Sequence, residues 1–284
     1  MAQSTGFTTL VQGQFINRSA EDCGKFPGAV SVLLLILSSL MMAFPFMYSR
    51  YTESVNNGQA QHYRGLGSAW LALAGEGGNF KIENGAFVPD PRAPKLLKIA
   101  GWTVFLGEAP SKEEASPFLA FVKDRVLIHS GDYGVNGPLS VLNGINGPAL
   151  EKLEQNFDGF TAFVKGSLFS LSTAEVPGAF VQIIGLMFLQ NFIFVLILGM
   201  FLAMSGLRIA YQTPGSRRAV GYWASLKTVA ALTVGPSLVA ALVGGFFPTW
   251  GIAIVMMVYS LLLGVRVILV YMGRFKNKKK VLRA

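Results

Sequence analysis

The residue types that could do chemistry are few and scattered along this chain. His129, Ser130 and Asp132 supply the three side chains of a hydrolase triad. Because adjacent residues of a strand point in alternating directions, they rarely form such a triad, and no nucleophile-elbow sequence accompanies them. The neighbouring carboxylates Glu113 and Glu114 are typical of a first helical turn, where acidic groups interact favourably with the helix dipole. These patterns favour structural roles, and we expect that the protein is not an enzyme.

Cofactor and metal motifs are equally weak. The stretch from Gly75 to Gly78 is rich in glycine, but the Lys-Ser/Thr that completes a phosphate-binding loop does not follow. Cys23, His62 and His129 are the soft metal ligands of the chain, which makes a structural zinc site unexpected. One cysteine also excludes an intramolecular disulfide. The sequence therefore predicts no catalytic residue, no cofactor and no metal ion.

The composition of the 284 residues points to a membrane protein. Hydrophobic residues make up 52%, charged residues 14%, and the mean hydropathy is +0.47. A soluble globular protein carries about 25% charged residues, so this chain is too apolar for that class. The 22 phenylalanines and the apolar content also exclude a disordered or collagen-like chain. We therefore expect an integral membrane protein.

Four apolar runs are long enough to cross the hydrocarbon core as helices. The predicted spans cover residues 29–48, 179–204, 228–247 and 251–272. The first run could instead be a cleaved signal peptide, but its length and the preceding acidic residues Glu21 and Asp22 favour a retained span. Pro236 predicts a kink in the third span, which neighbouring helices can tolerate by covering the freed carbonyl.

The distribution of basic residues predicts the orientation. Residues 1–28, 205–227 and 273–284 share one side of a four-span protein, and with Arg266 that side carries thirteen basic and two acidic residues. Residues 50–177 carry eleven basic and thirteen acidic residues. Because Lys and Arg concentrate in cytoplasmic loops, we predict that both termini are cytoplasmic and that residues 50–177 are extracytoplasmic. The net charge of +9 then needs no nucleic-acid partner.

Both terminal segments have features of a membrane interface. Apolar residues at helical spacing in the N-terminal segment predict a short helix in the inner interface. These residues are Phe7, Leu10, Val11, Phe15 and Ile16. The basic C-terminal tail either anchors the last helix or also binds anionic lipid headgroups, at about 1 kcal/mol per basic residue. The headgroup candidates are Arg274, Lys276, Lys278, Lys279 and Lys280.

Residues 50–177 have the composition of a small α+β domain. Alternating apolar residues around Asn84-Gly85 predict a hairpin with strands at 80–82 and 86–88. Further strands are predicted at 102–106, 118–122 and 125–129, the last two as a second hairpin. A segment of this length can bury a core of its own, so the domain should fold.

The second half of this domain is predicted to contain turns and then one helix. Three Asn-Gly pairs predict that turns dominate residues 131–147. Apolar residues from Leu150 to Leu168 repeat at intervals of three and four, which predicts a continuous helix that begins at Pro148. Phe157, Phe160 and Phe163 form an aromatic stripe on this helix, which we expect to be core rather than a ligand site.

Four polar residues inside the predicted spans are the candidate site. Arg266 and Tyr259 share one face of the fourth span, and Gln190 and Asn191 lie near the middle of the second. A charge in a span costs a few kcal/mol and is a functional candidate by default. Two interpretations stay open: Arg266 hydrogen-bonds Asn191, or Arg266 snorkels to the inner interface while Gln190 and Asn191 join helices.

Several features of this layout occur together in one known family. They are Phe15-Ile16-Asn17 and Lys25-Phe26-Pro27-Gly28 before the first span, the hairpin at Asn84-Gly85, the late helix into the second span, and the closing helical hairpin with its basic tail. The chain resembles, over nearly its whole length, bacterial membrane proteins of unknown function, some labelled maltodextrin-utilisation membrane proteins. The resemblance implies a multi-pass protein of the bacterial plasma (inner) membrane with an exposed domain, auxiliary to transport, and supplies no catalytic residue.

Three functions remain open from the sequence. The first is a non-enzymatic accessory or scaffold whose outer domain binds a protein, lipid or envelope polymer. The second is a permease subunit of an ABC-like transporter, since certain permeases share this four-span plan. Such a permease needs a coupling surface for an ATPase, and only the first 25 residues and residues 208–227 offer one. The third, an intramembrane enzyme, lacks a paired nucleophile and base in the spans. We expect the first, with other membrane proteins or a transport complex as partners.

Overall fold

The computed structural model describes residues 6–99, 101–107, 117–212, 221–247 and 251–281, with the backbone alone for 205–212 and 274–281. The chain divides into two compact units. Unit 1 comprises Met1–Ser49 and Phe180–Ala284, and unit 2 comprises Arg50–Ala179. The predicted combination of long apolar helices and a separate β-sheet region is present.

The described elements follow in chain order. The helices are α1 (Gly6–Gly13), α2 (Asn17–Cys23), α3 (Gly28–Asn57), α4 (Leu66–Glu76), α5 (Gly147–Glu154), α6 (Phe157–Thr173), α7 (Val176–Gln212), α8 (Tyr222–Leu232), α9 (Val234–Phe246) and α10 (Gly251–Val281). The strands are β1 (Lys81–Glu83), β2 (Ala86–Val88), β3 (Leu96–Ile99), β4 (Trp102–Leu106), β5 (Phe118–Val122), β6 (Arg125–Ser130) and β7 (Tyr133–Pro138). Short 3-10 turns occur at Ala60–His62 and Leu139–Leu142.

Four helical segments of the described chain are long and apolar enough to cross a membrane. They are Gly28–Asn57, Phe157–Met204, Tyr222–Phe246 and Gly251–Gly273. This count agrees with the four predicted spans. The helices extend beyond the predicted apolar runs, because a helix continues into polar sequence until a breaker ends it. In α3 that end comes at Asn57, immediately before Gly58.

The third candidate span is interrupted near its middle. Helix α8 ends at Leu232 and α9 begins at Val234, with Thr233 between them. Pro236 lacks an N–H and therefore cannot donate to the carbonyl of Leu232 one turn earlier. The sequence predicts a kink at Pro236, and the structure places the interruption three residues before it.

The helices of unit 1 have apolar side chains both in the core between them and on their outer faces. Its buried core includes Met42, Val195 and Met256, whereas Leu189 and Leu261 are more than half exposed on the outer faces of α7 and α10. A helix that is apolar all round is typical of a membrane span, where lipid covers the outer face. The N-terminal segment forms two helices, α1 and α2, rather than the one predicted.

Unit 2 contains a two-stranded and a five-stranded sheet. Strands β1 and β2 pair antiparallel with Ile82 opposite Phe87, and Asn84 and Gly85 both have positive φ, as a type I′ turn requires. The second sheet has the order β3-β4-β5-β6-β7, in which β4 and β5 are parallel and the other pairs antiparallel. Both predicted hairpins and the predicted strand at 102–106 are confirmed.

A single core joins α4 and α6 to these sheets. Trp70 of α4 packs edge-on against Phe121 of β5 and Phe163 of α6, with ring centroids 5.6 and 5.4 Å away. Trp102 is buried and donates from Nε1 to the carbonyl of Arg64 at 2.9 Å, which satisfies its polar atom. The unit therefore has its own hydrophobic core.

Two strands were not predicted. Strand β3 pairs with β4, and β7 occupies part of the segment 131–147 where turns were expected. The Asn136-Gly137 pair lies within β7, with Gly137 opposite Val126. A Cβ at Gly137 would stand 2.6 Å from the carbonyl oxygen of Leu171, so this glycine permits close packing of β7 on α6. The glycine that suggested a turn is therefore a packing residue.

The predicted continuous helix after Pro148 is wrong in one respect. It is broken into α5 and α6 at Gln155 and Asn156, and Asn156 caps α6 by accepting a hydrogen bond from Gly159 N at 3.1 Å. The break changes the helical phase, so Phe157 is 80% exposed rather than part of the core. Phe160 and Phe163 belong to the core as predicted.

Candidate functional site

A buried polar cluster joins three helices of unit 1. Asn191 of α7 is completely buried, and its Nδ2 donates to Ser39 Oγ at 3.1 Å and to the carbonyl of Leu35 at 3.4 Å, both in α3. The hydroxyl of Tyr259 in α10 donates to Asn191 Oδ1. Gln190 is half-buried and lies about 100° around the helix from Asn191. The cluster therefore provides these buried donors and acceptors with hydrogen-bond partners, which lipid acyl chains cannot supply.

Arg266 lies in a second cluster, away from Asn191. Its Nη1 donates to Asn17 Oδ1 at 2.6 Å and its Nη2 to the carbonyl of Gly13 at 2.8 Å. Of the two interpretations that the sequence left open, the hydrogen bond between Arg266 and Asn191 is therefore not formed. Tyr259 and Arg266 share a helix face but lie two turns apart, about 10 Å along the axis, so only Tyr259 is level with Asn191. Arg266 is only 9% exposed, buried against the N-terminal helices.

Asn17 connects α2 with α10. Besides accepting from Arg266, it donates from Nδ2 to the carbonyl of Leu269 at 3.0 Å. A Cβ at Gly273 would stand 2.5 Å from Asn17 Nδ2, so the two helices approach closely there. The start of α2 is thus held against the last turns of the fourth candidate span.

Gln14 fills the interruption of the third candidate span. Its Nε2 donates to the carbonyl of Ala231 at 3.0 Å, and its Oε1 accepts from Gly235 N at 3.1 Å. In a continuous helix, these two backbone groups would bond to each other, because they stand in the i and i+4 positions. The side-chain amide has taken the place of that backbone hydrogen bond.

The same interruption is also bonded to α3. The hydroxyls of Ser38 and Thr233 hydrogen-bond each other at 2.7 Å, and Thr233 donates to the carbonyl of Ala230. Both hydroxyls are buried. Gln14, directly after α1, and Ser38 of α3 therefore hold the α8–α9 junction from two sides.

An apolar cleft of about 450 Å³ lies among α1, α9 and α10. Its lining includes Leu10, Phe15, Leu238, Val239 and Leu262, with Arg266 as its charged member. We refer to it as the Arg266 cleft. Cavities of this volume are in the range that holds small ligands.

Unit 2 has a separate cleft of about 480 Å³ on its helical side. Leu71 of α4 and Phe157, Phe160 and Val164 of α6 line it, and Glu154 and Lys165 add one charge of each sign. We refer to it as the Phe157 cleft. An exposed aromatic ring beside a concave apolar surface is typical of a protein-binding site.

The residues of the triad pattern lie close together in the β6–β7 hairpin of unit 2, but each has a different environment. His129 stacks on Phe118 with ring centroids 5.4 Å apart, Ser130 pairs with Tyr133 in the β6–β7 ladder, and Asp132 is exposed in the turn. His62 stacks on Tyr133 at 3.6 Å. Glu113 and Glu114 lie outside the described residues. Among the described residues, no group of three His, Cys, Asp or Glu side chains could hold a metal ion.

The basic tail belongs to the last helix. Helix α10 continues to Val281, so the backbone of the headgroup candidates Arg274, Lys276, Lys278, Lys279 and Lys280 is helical. Their side chains lie outside the described part of the structure. The same holds for residues 213–220, which belong to the basic segment 205–227 between the second and third predicted spans.

Gln14, Asn17, Ser38, Ser39 and Thr233 are the site residues that the sequence did not single out. One signal could have identified the first two: amide side chains in an otherwise apolar N-terminal segment of a protein whose third span contains Pro236. An amide is suited to the freed backbone groups of an interrupted helix, because it carries both a donor and an acceptor.

Four long apolar helices and a separate β-sheet unit define a mostly helical class of protein, compatible with a multi-pass membrane protein. The chain has no significant match to any known protein-family model, curated protein or solved structure.

Proposed function

We propose that this protein is a non-enzymatic accessory or scaffold subunit of a transport or envelope complex in a bacterial plasma membrane. In this proposal four spans anchor it, both termini are cytoplasmic, and unit 2 lies outside and binds a partner protein. The observation that carries the proposal is the Phe157 cleft, with its exposed aromatic ring beside an apolar surface.

The position of Phe157 supports a binding role. It occupies the first residue of α6, directly after the Asn156 cap, where a well-defined helix start holds its backbone. A large exposed ring on a fixed backbone loses little conformational freedom on binding and can contribute strongly to a protein interface. Glu154 and Lys165 beside the cleft would add orientation rather than affinity.

The polar groups of unit 1 support an anchoring role for the helices. Ser39 and Tyr259 each hydrogen-bond to Asn191, as polar residues do when they hold helices together. The sequence features that resemble those of four-span bacterial membrane proteins labelled for maltodextrin utilisation imply a place beside a transporter.

Affinity purification in mild detergent, followed by mass spectrometry, tests the accessory proposal. We expect a stoichiometric membrane-protein partner with the wild type and at least a tenfold lower recovery with Phe157→Asp. An acidic residue is well tolerated at the start of a helix, so this variant should fold. Val88→Asp is the matched control, since Val88 is exposed in β2 outside the cleft. Equal recovery with Phe157→Asp and the wild type would refute the proposed surface.

The alternative is a permease subunit of an ABC-like transporter. The interruption between α8 and α9 favours it, because broken spans commonly form substrate and ion sites in transporters. A permease requires an ATPase partner, whereas an accessory subunit does not. Recovery of a stoichiometric ATPase that survives Phe157→Asp would favour the permease.

A further inference from the structure

The Arg266 cleft combines an apolar lining with one buried charge. Leu238 and Val239 of α9 contribute to the lining and remain about half exposed, so the cleft is continuous with the outer apolar surface of that helix. On the other side, Phe7 and Phe15 line it while being 75% and 81% exposed. An apolar molecule in the surrounding bilayer could therefore enter the cleft from the side.

The guanidinium of Arg266 is incompletely satisfied. Its two terminal nitrogens donate to neutral oxygens, those of Asn17 and Gly13, but its buried Nε has no hydrogen-bond partner among the described residues. None of the ion pairs between described residues involves Arg266. A buried charge is ordinarily paired with an opposite charge, because neutral hydrogen bonds replace only part of its lost hydration.

We propose that the Arg266 cleft binds an anionic phospholipid, whose phosphate accepts from Arg266 and whose acyl chain lies along Leu238, Val239 and Leu262. The phosphate supplies the missing negative charge and accepts from the guanidinium, and these charge-assisted bonds are stronger than neutral ones. The acyl chain matches the apolar lining. This site is distinct from the basic tail and does not depend on the proposed accessory function.

Native mass spectrometry of the delipidated full-length protein in detergent tests the site. The probes are palmitoyl-oleoyl-phosphatidylglycerol and the phosphatidylcholine with the same acyl chains, each titrated separately. We expect the wild type to bind one phosphatidylglycerol about tenfold more tightly than phosphatidylcholine. Arg266→Gln should remove that preference, whereas Arg18→Gln, which neutralises an exposed residue of α2, should retain it.

A second pair of variants tests the cleft without altering the hydrogen bonds of Arg266. Leu238→Trp should fill the cleft and weaken phosphatidylglycerol binding about tenfold. Leu242→Trp is its matched control, one turn further along α9, similarly exposed and outside the lining. If Arg266→Gln fails to fold, the affinity of Leu238→Trp for phosphatidylglycerol decides whether the lipid binds in the cleft.

Three outcomes would overturn the proposal. They are equal wild-type affinity for the two lipids, an equal loss in Arg18→Gln and Arg266→Gln, and wild-type affinity in Leu238→Trp. The basic tail is intact in every variant, so a selective loss in Arg266→Gln and Leu238→Trp cannot come from the tail.

Discussion

Buried polar side chains of unit 1 obtain their hydrogen bonds from other helices. Asn191 uses both ends of its amide, donating to α3 and accepting from α10. Such bonds contribute about 0.6–2 kcal/mol each in membrane proteins. The larger effect comes from removing one partner, because the other is then buried without a hydrogen bond.

Tyr259→Phe is predicted to destabilise the protein. It removes the donor to Asn191 Oδ1, and the expected loss in the free energy of unfolding is about 1–2 kcal/mol. Unfolding in mixed micelles with increasing dodecyl sulfate measures this change. Ser260→Ala is the control, since among the described residues that hydroxyl bonds only to carbonyls of its own helix, at Met256 and Met257. If both variants unfold like the wild type, the hydrogen bond from Tyr259 to Asn191 does not contribute to stability.

Tyr63 of unit 2 is predicted to make stability depend on pH in the alkaline range. Burial, with a smaller contribution from Tyr133, raises the pKa of Tyr63 from 10.0 to about 12. In the unfolded chain this phenol loses its proton near pH 10, whereas the folded protein retains it. The contribution of Tyr63 to the free energy of unfolding is thus fully present below about pH 10 and is lost as the pH rises to about 12.

Tyr63→Phe should remove this alkaline loss while leaving stability at pH 7 unchanged or slightly higher. The hydroxyl has no hydrogen-bond partner among the described residues, so nothing is lost with it at neutral pH. Tyr133→Phe, the control, should retain most of the effect because burial is the larger cause. Urea unfolding from pH 8 to 12 measures both variants, and a Tyr63→Phe curve parallel to the wild type would contradict the assignment.

At the scale of elements, the third candidate span depends on a residue more than two hundred positions away. Gln14 replaces the backbone bond between Ala231 and Gly235 that the interruption removes. An interrupted helix in an apolar environment must satisfy its freed backbone groups with side chains. The segment directly after α1 is therefore part of the packing of the third candidate span.

Gln14→Leu is predicted to lower the free energy of unfolding by about 2 kcal/mol or more, because it leaves Ala231 O and Gly235 N without partners. Gln12→Leu, on the exposed side of α1, is the control and should change stability by less than about 0.5 kcal/mol. Pro236→Ala restores an N–H to α9. The free energy of unfolding of the double variant Gln14→Leu/Pro236→Ala should therefore fall by less than the sum of the changes in the two single variants. Strict additivity would mean that Gln14 and the interruption are not coupled.

At the scale of the whole molecule, the sequence predicts that unit 2 lies outside the membrane and that both termini lie inside. The chain's one cysteine, Cys23, is buried, and burial together with the charge of Asp22 raises its pKa to about 11. Its thiol should therefore react slowly with maleimide at pH 7 in the folded protein. The native chain can then serve as the background for engineered cysteines.

Asp132→Cys and Arg18→Cys test the orientation, since both positions are exposed, one in unit 2 and one in α2. With an impermeant maleimide on intact cells, Asp132→Cys should react and Arg18→Cys should react only after permeabilisation. The native protein should react only after denaturation. Labelling of Arg18→Cys on intact cells would show that the N-terminus lies outside and would contradict the predicted topology.

Helices and hairpins with local signals could be predicted from the sequence. The four long apolar helices follow from length and composition, and the turn at Asn84-Gly85 from residues that accept positive φ. These properties depend on neighbouring residues, so the one-dimensional pattern determines them. The break before Phe157 was missed because its cap, Asn156, interrupts an otherwise regular apolar repeat.

The tertiary structure alone decided which polar groups meet. Arg266 binds residues 249 and 253 positions away, and Asn191 binds partners 68 and 152 positions away. No local pattern specifies such pairs, since they depend on how helices rotate and pack. The same holds for β7, which is a strand through its pairing with β6 and packs closely on α6 because residue 137 is a glycine. Sequence determined which segments are apolar helices, and packing determined where each buried polar group finds its partner.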